Sequence, residues 1–178
     1  MKLKEIVIGV FVLALLGSVG LLWLAPAGLQ QAPDITLTTL QGEKLNIPEL
    51  RGRPVLVNFW ATTCPGCIRE LPHLIELYNE LAPQGLEIIG IAMAHDPPNL
   101  VIALSEARQI PYPIALDINS YAASAFGDVH LTPTSFLIAP DGQIAHQAVG
   151  ELDMHEVRKL LTDMLGQAQM AETQVKEN

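Results

Sequence analysis

Basic residues are scarce in this chain, and their scarcity limits what it can bind. Its 178 residues include 10 Lys and Arg against 19 Asp and Glu, a formal net charge of −9. A chain this acidic lacks the positively charged surface that binding to phosphate backbones requires, so we expect no nucleic-acid partner. We interpret the acidity as a solubilising surface.

Cysteines and long apolar runs are also few. The chain has 2 cysteines, and a single pair without a second pair is a poor match for a structural zinc site. One uncharged, mostly apolar run, residues 6–25, stands alone, which excludes a protein with several membrane spans. The length suits one domain and excludes a large barrel or a multidomain assembly.

The run at residues 6–25 predicts a membrane anchor. As a helix it is long enough to cross the hydrocarbon core of a bilayer. Lys2 and Lys4 precede it, and the next basic residue is Lys44. The positive-inside rule therefore places the N-terminus in the cytoplasm and the rest of the chain outside. We predict a single-pass protein of the inner (cytoplasmic) membrane whose domain faces the periplasm.

The composition of the sequence divides the chain into four segments. We predict an N-terminal anchor at 1–27, a linker at 28–33, a compact domain at 34–166 and a polar tail at 167–178. A cleaved signal peptide is the alternative to the anchor, because Ala25-Pro26-Ala27 offers small residues at a suitable place. Either way, the domain reaches a compartment where thiols tend to oxidise.

Strand and helix patterns alternate through the compact domain. The predicted elements are a hairpin around 41–43, strands at 55–60, 86–94, 114–116, 134–139 and 143–149, and helices at 71–81, 99–109, 120–126 and 153–165. Pro72 predicts a kink in the first helix rather than its end. This order predicts an α/β fold, with a mixed central sheet and helices on both faces.

Both cysteines lie in one motif, Cys64-Pro65-Gly66-Cys67, directly after a predicted strand. A helix that begins just after Cys64 stabilises a thiolate there through its unpaired N–H groups and its dipole. It lowers the pKa of the thiol from about 8.5 to about 3.5–7.5. Cys67, one turn further on, can then attack the sulfur of Cys64 and resolve a mixed disulfide. The motif therefore predicts Cys64 as the nucleophile and Cys67 as the resolving thiol.

Other uses of the cysteine pair stay open from the residues alone. A structural disulfide is one, although so short a loop constrains the unfolded chain little. A thiol peroxidase of the peroxiredoxin type is another; it needs a Thr three residues before the nucleophile, where this chain has Ala61. A metal or haem chaperone would use the cysteines as ligands. For redox exchange no cofactor is implied, because the electrons reside on the cysteines.

The residues around the motif resemble a known family. They read FWATTCPGCIRELP at 59–72 and TPTSFLI at 132–138. With the leading hairpin and an insertion at 96–117, they resemble the TlpA/ResA-like family of membrane-anchored thioredoxin-fold proteins. The resemblance implies a thioredoxin-like sheet with an N-terminal β-hairpin and an αβ insertion. It also implies that the protein reduces or exchanges disulfides outside the cytoplasmic membrane, a reaction that serves cytochrome c maturation in several members.

The resemblance also implies where a substrate docks. It predicts a cis peptide at Thr132-Pro133 facing the cysteines, where the Thr132 backbone would hold an incoming extended chain. The other predicted substrate-binding residues are Trp60, Pro65 and Gly66. Thr63 departs from the family, in which Trp is usual, so an exposed aromatic platform beside the thiol is missing. That departure bears on the identity of the partner.

Glu70 is the third predicted catalytic residue. It lies one helical turn after Cys67, so its carboxyl can point back toward that sulfur, and the family has an acid here. If buried, the carboxyl has a raised pKa and exchanges protons with Cys67, directly or through water. The alternative is a solvated Glu paired with an Arg on the helix surface.

The resemblance finally implies partners and a direction. The substrates are thiols and disulfides of exported proteins, such as apocytochrome c, and the electrons come from a membrane thiol–disulfide protein. The membrane is reached through one N-terminal helix. We favour reduction, because an acid at Glu70 suits a buried thiol that must lose its proton to complete that reaction. Pro65 also occurs in oxidising relatives.

Overall fold

The computed structural model describes residues 30–176, and the side chains of residues 30–170. The anchor predicted at residues 6–25 lies outside the described residues. Among the helices of the described part, none is both long and apolar enough to cross a membrane.

Seven strands and four α-helices form the described part of the chain. The strands are β1 (Thr36–Thr38), β2 (Lys44–Asn46), β3 (Val55–Trp60), β4 (Glu87–Ala92), β5 (Ile114–Leu116), β6 (Thr134–Ile138) and β7 (Ile144–Val149). The helices are α1 (Pro65–Leu81), α2 (Pro98–Ala107), α3 (Tyr121–Ala125) and α4 (Met154–Lys176). Each strand and helix predicted from the sequence is present, with shifted ends.

The main sheet has five strands in the order β5-β4-β3-β6-β7. β3 pairs in parallel with β4, and β4 with β5, whereas β6 runs antiparallel to both β3 and β7. β1 and β2 form a separate antiparallel hairpin. The predicted mixed sheet and leading hairpin are therefore confirmed.

Alternation along β3 divides the core into two layers. Leu56 and Trp60 face one layer, and Val57 and Phe59 face the other. The first layer packs against α1, α2 and α4 through residues such as Leu74, Leu77, Val101 and Leu161. The second packs against α3 and the hairpin through residues such as Ala122, Ala123, Leu37 and Leu45. Asn58 is the polar exception in the first layer.

The helix ends follow local chemistry. α1 begins at Pro65 and continues through Pro72, as predicted. The side chain of Asp153 accepts the N–H groups of His155 and Glu156 and so caps α4. α4 runs to Lys176, well past the predicted end at Leu165, which is the last buried residue among the side chains described, those up to residue 170. Good helix formers, chiefly Gln, Ala, Met and Glu, follow Gly166 and favour the longer helix.

Candidate active site

The two cysteines lie where β3 gives way to α1. Cys64 is the residue before the first turn of α1, and its Sγ accepts the N–H of Cys67 at 3.2 Å. The two side chains are joined in a disulfide, with their Cα atoms 5.3 Å apart. Cys64 is half-buried and Cys67 is buried. The sulfur that an incoming thiol can reach is therefore that of Cys64, at the positive end of the helix dipole.

A buried carboxylate holds the loop that precedes Cys64. Asp96, after β4, accepts the backbone N–H of Thr62 at 2.6 Å and the Thr62 hydroxyl at 2.5 Å. These two contacts tie the loop between β3 and α1 to the loop after β4. Asp96 thereby supports the backbone two residues before Cys64.

Glu70 is buried in the first core layer, not solvated on the helix surface. The Glu70 residue is 3% exposed. Oε1 accepts the backbone N–H of Leu152 at 2.6 Å, and Oε2 accepts the Asn58 side-chain N–H at 3.1 Å. The alternative of a surface Glu paired with an Arg is therefore wrong.

Burial raises the pKa of Glu70, and several neighbours modify the effect. The hydrogen bonds from Leu152 and Asn58 lower the pKa and so offset part of the rise. The charge of Glu151 raises it further, whereas His73 lowers it. Tyr112 also faces this carboxyl: its own pKa is raised by burial first and by Glu70 second. Proton uptake by Glu70 is therefore favoured over that of an ordinary glutamate.

The residues predicted to dock a substrate lie together beside the disulfide, with one exception. The Thr132-Pro133 peptide is cis, as predicted. A Cβ placed on Gly66 would lie 3.4 Å from Cδ of Pro133, so the motif and this loop are in contact. Pro65 is exposed and Thr132 is half-buried. These residues form one rim around Cys64.

Trp60 is the exception. It is 4% exposed and packs in the first core layer. Its indole lies beside Gly90, where a Cβ would come within 3.2 Å of Nε1. Since Trp60 offers no surface to a docking chain, its predicted substrate contact is corrected to a packing role beneath the active-site loop.

Several groups at the site were not predicted. Asn58 bridges Glu70 and the hydroxyl of Ser135, 2.9 Å away, and Asn58 and Ser135 are paired residues of β3 and β6. A polar residue within the apolar strand VLVNFW was a usable signal for Asn58. The roles of Leu152 and Asp96 depend on tertiary contacts, for which the sequence holds no local signal.

Among the described side chains, those of residues 30–170, no group of three or more His, Cys, Asp or Glu is arranged to hold a metal ion.

The fold and the site define a thioredoxin-fold thiol–disulfide oxidoreductase, and comparisons with known proteins agree. Residues 29–147 match the model of the AhpC/TSA family. The thiol-disulfide oxidoreductase ResA of Halalkalibacterium halodurans is 36% identical over 138 residues, which cover 78% of this chain and 77% of that protein. ResA of Bacillus anthracis is 34% identical over 122 residues, covering 68% and 69%. The chain belongs to the AhpC/TSA family, among thiol–disulfide oxidoreductases of the ResA type.

Solved structures show the same fold. The crystal structure of a thioredoxin-family thiol:disulfide interchange protein from Chlorobium tepidum matches with a TM-score of 0.71 and 27% identity, covering 79% of this chain and 99% of that one. The thioredoxin domain of a thiol-disulfide oxidoreductase from Bacteroides vulgatus matches with a TM-score of 0.63 and 25% identity, covering 77% and 99%. The family resemblance of residues 59–72 and 132–138 is thus confirmed.

Proposed function

We propose that this oxidoreductase works outside the cytoplasm and reduces disulfides of exported proteins, such as the haem-binding cysteines of apocytochrome c. The observation that carries the proposal is the unequal placement of the two sulfurs. Cys64 is reachable at the start of α1, and Cys67 lies buried behind it. This is the arrangement that a nucleophile and a resolving thiol require.

The reaction balances on the two cysteines alone. In the dithiol form, the Cys64 thiolate attacks a substrate disulfide, forms a mixed disulfide and releases the first substrate thiolate. The Cys67 thiolate then attacks Sγ of Cys64, which releases the second substrate thiolate and forms the Cys64–Cys67 disulfide. Two electrons pass to the substrate. A membrane thiol–disulfide protein then returns the pair to the dithiol.

Glu70 supplies the proton exchange for the second step. Cys67 must lose a proton before it can attack, and it lies in a buried environment that disfavours charge. The carboxyl of Glu70 is buried one turn away, on the side of α1 that faces β3. Its raised pKa brings it closer to that of a thiol, so proton exchange between them costs less.

The docking site is assigned to Thr132 and Pro133, with Pro65 and Gly66 on the same rim. An extended substrate segment would lie along this rim and place its sulfur against Cys64. The extracytoplasmic location is supported by the apolar run at 6–25 and by the Lys residues that precede it. The membrane attachment and the membrane electron donor belong to the same proposal.

A trapping experiment tests this function. In the Cys67→Ser chain, Cys64 should retain its substrate as a mixed disulfide in living cells, and mass spectrometry should identify an exported protein. Cys64→Ser is the matched control and should capture nothing. If Cys67→Ser captures no exported protein either, the proposal is wrong.

The direction of electron flow has its own measurement. Equilibration of the purified full chain with glutathione buffers should show that its disulfide is harder to reduce than that of glutathione, as a reductant requires. A disulfide that glutathione reduces readily would instead indicate an oxidant. Metal analysis of anaerobically purified protein distinguishes a reductant or an oxidant from a metal chaperone, because only the chaperone would carry bound metal.

A further inference from the structure

Residues 150–152, hereafter the β7–α4 junction, contact three parts of the active site in succession. Gly150 donates its N–H to the carbonyl of Pro133 at 2.8 Å. Leu152 donates its N–H to Oε1 of Glu70 at 2.6 Å. Glu151, between them, reaches across to α1. The junction therefore joins the Thr132-Pro133 loop, α1 and the Glu70 carboxyl.

Glu151 contacts Arg69 at two points. Nη2 of Arg69 lies 2.5 Å from Oε1 of Glu151, and Nε lies 3.4 Å from Oε2. The same carboxyl covers the motif, because a Cβ on Gly66 would lie 3.4 Å from Oε1. The hydrogen bond between the two side chains raises the pKa of Arg69 and lowers that of Glu151, so both stay charged at neutral pH.

We propose that Arg69 and Glu151 are positioning residues for Glu70: their ion pair fastens the junction to α1 and keeps the Leu152 N–H on the Glu70 carboxyl. Arg69 directly precedes Glu70 on α1, and Glu151 directly precedes Leu152. The ion pair and the hydrogen bond therefore join α1 to the β7–α4 junction at neighbouring positions. The inference rests on the proposed function, since it assigns a support to the group that exchanges a proton with Cys67.

The exposure of Arg69 and Glu151 limits how much the loss of their ion pair can destabilise the protein. The side chains of Arg69 and Glu151 are 63% and 45% exposed, and pairs in such positions stabilise little by themselves. The side chain of Leu152 is buried and anchors the junction independently. Loss of the pair should therefore loosen the junction locally without unfolding the domain.

Charge and position can be separated by the choice of variant. The groups that face Glu70 are Asn58 from β3, Tyr112 from the segment before β5, Glu151 from the junction and His73 from α1 itself. In Arg69→Gln, Glu151 keeps its charge and its repulsion of Glu70. In Glu151→Gln that repulsion is gone. An effect that both variants share therefore reports the lost contact and not the changed charge.

Hydrogen exchange at the Leu152 amide is the decisive measurement. It is followed on the full chain in detergent, by mass spectrometry with single-residue fragmentation. In Arg69→Gln and in Glu151→Gln the exchange should be about two- to fivefold faster, the factor expected for loss of a solvent-exposed ion pair. The double variant should add little more, because both changes remove one interaction.

The chain offers a matched control in a second exposed ion pair, between Arg158 on α4 and Glu80 on α1. Glu80→Gln should leave exchange at Leu152 unchanged. If Arg69→Gln and Glu151→Gln also leave it unchanged, the proposal is overturned.

Kinetics separate this proposal from the proposed function. The rate at which Cys67 resolves a mixed disulfide on Cys64 is measured against pH. Arg69→Gln should displace the part of the profile that depends on Glu70, and should have no effect in a chain that already carries Glu70→Gln. Faster exchange at Leu152 with an unchanged profile supports the positioning role and counts against proton exchange by Glu70.

Discussion

Glu70 brings a titratable group into the core beside a thiol, and the surroundings decide which protonation state is preferred. Burial disfavours the anion, while the donors on Leu152 and Asn58 favour it. Burial is the larger cause, so the pKa rises. The result is a carboxyl that is less acidic than a surface glutamate, which suits the proposed proton exchange with Cys67.

The first prediction at the residue scale concerns the resolving step. Glu70→Gln removes the proton acceptor and should slow resolution by Cys67 by roughly 10²-fold at neutral pH. The pH profile should also lose the part due to Glu70. Stopped-flow decay of a mixed disulfide between Cys64 and a chromogenic thiol measures the rate. Glu76→Gln, an exposed position on α1, is the control; an unaltered profile in Glu70→Gln would count against the role.

The second prediction concerns stability. Because the pKa of Glu70 is raised on folding, the native state holds this proton more tightly than the unfolded chain does. The contribution of Glu70 is therefore complete below about pH 4.3 and is lost as the pH rises through the folded pKa.

Urea unfolding of the oxidised protein at a series of pH values measures this contribution as a difference. The free energy of unfolding of the parent chain should fall, relative to Glu70→Gln, as the pH rises. Burial raises the pKa of Glu87 as well, so Glu87→Gln serves as the comparison that isolates Glu70. A difference that is constant with pH would contradict the assignment.

Whether a contact at the site can be predicted from the sequence depends on how far apart its two residues lie along the chain. Cys64, Cys67 and Glu70 lie within two turns of one helix, so helical geometry alone placed them together. The contacts of Asn58 with Ser135, and of Leu152 with Glu70, join residues far apart in sequence. They require the strand register and the packing of α1, which local patterns do not contain.

At the scale of elements, patterns predicted the kind of element better than its ends. Apolar runs with β-branched residues located β3 and β4, and the helical spacing of Leu71, Leu74 and Leu77 located α1. The end of α4 was placed too early because the apolar pattern stops at Leu165, although helix propensity continues. Trp60 lies in the strand that the sequence predicted to be buried, and its burial excludes the substrate contact that was also assigned to it.

The third prediction belongs to the loop between β3 and α1. Asp96→Ala leaves the Thr62 N–H and hydroxyl without their acceptor in a part-buried setting. We expect a loss of about 1–3 kcal/mol in the free energy of unfolding and a slower attack by Cys64, because its backbone support is looser. Denaturant unfolding and the rate of thiol alkylation measure the two effects.

Asp34→Ala is the control for this variant, since Asp34 is exposed. It should change the free energy of unfolding by less than about 0.5 kcal/mol. Equal losses in Asp96→Ala and Asp34→Ala would show that the Thr62 contacts do not support the loop.

For the domain as a whole, the described residues form two core layers. Both core layers consist of residues from 32 onward, and the disulfide, Glu70 and the docking rim all lie in the same domain. The fold class and the membership of the family could be predicted from the sequence because they depend on pattern and motif. For the run at 6–25, the sequence predicts a membrane anchor.

The last prediction tests that attachment. A chain that starts at residue 30 should be soluble, fold cooperatively and keep the resolution rate of the full chain. The full chain should remain in the membrane fraction after alkaline extraction. As the control, Leu15→Arg in the full chain places a charge near the middle of the run, which costs about 2.5–3.5 kcal/mol on insertion. It should therefore weaken membrane retention while leaving disulfide exchange unchanged. Recovery of the unaltered full chain in the soluble fraction would show that the run is removed or does not insert.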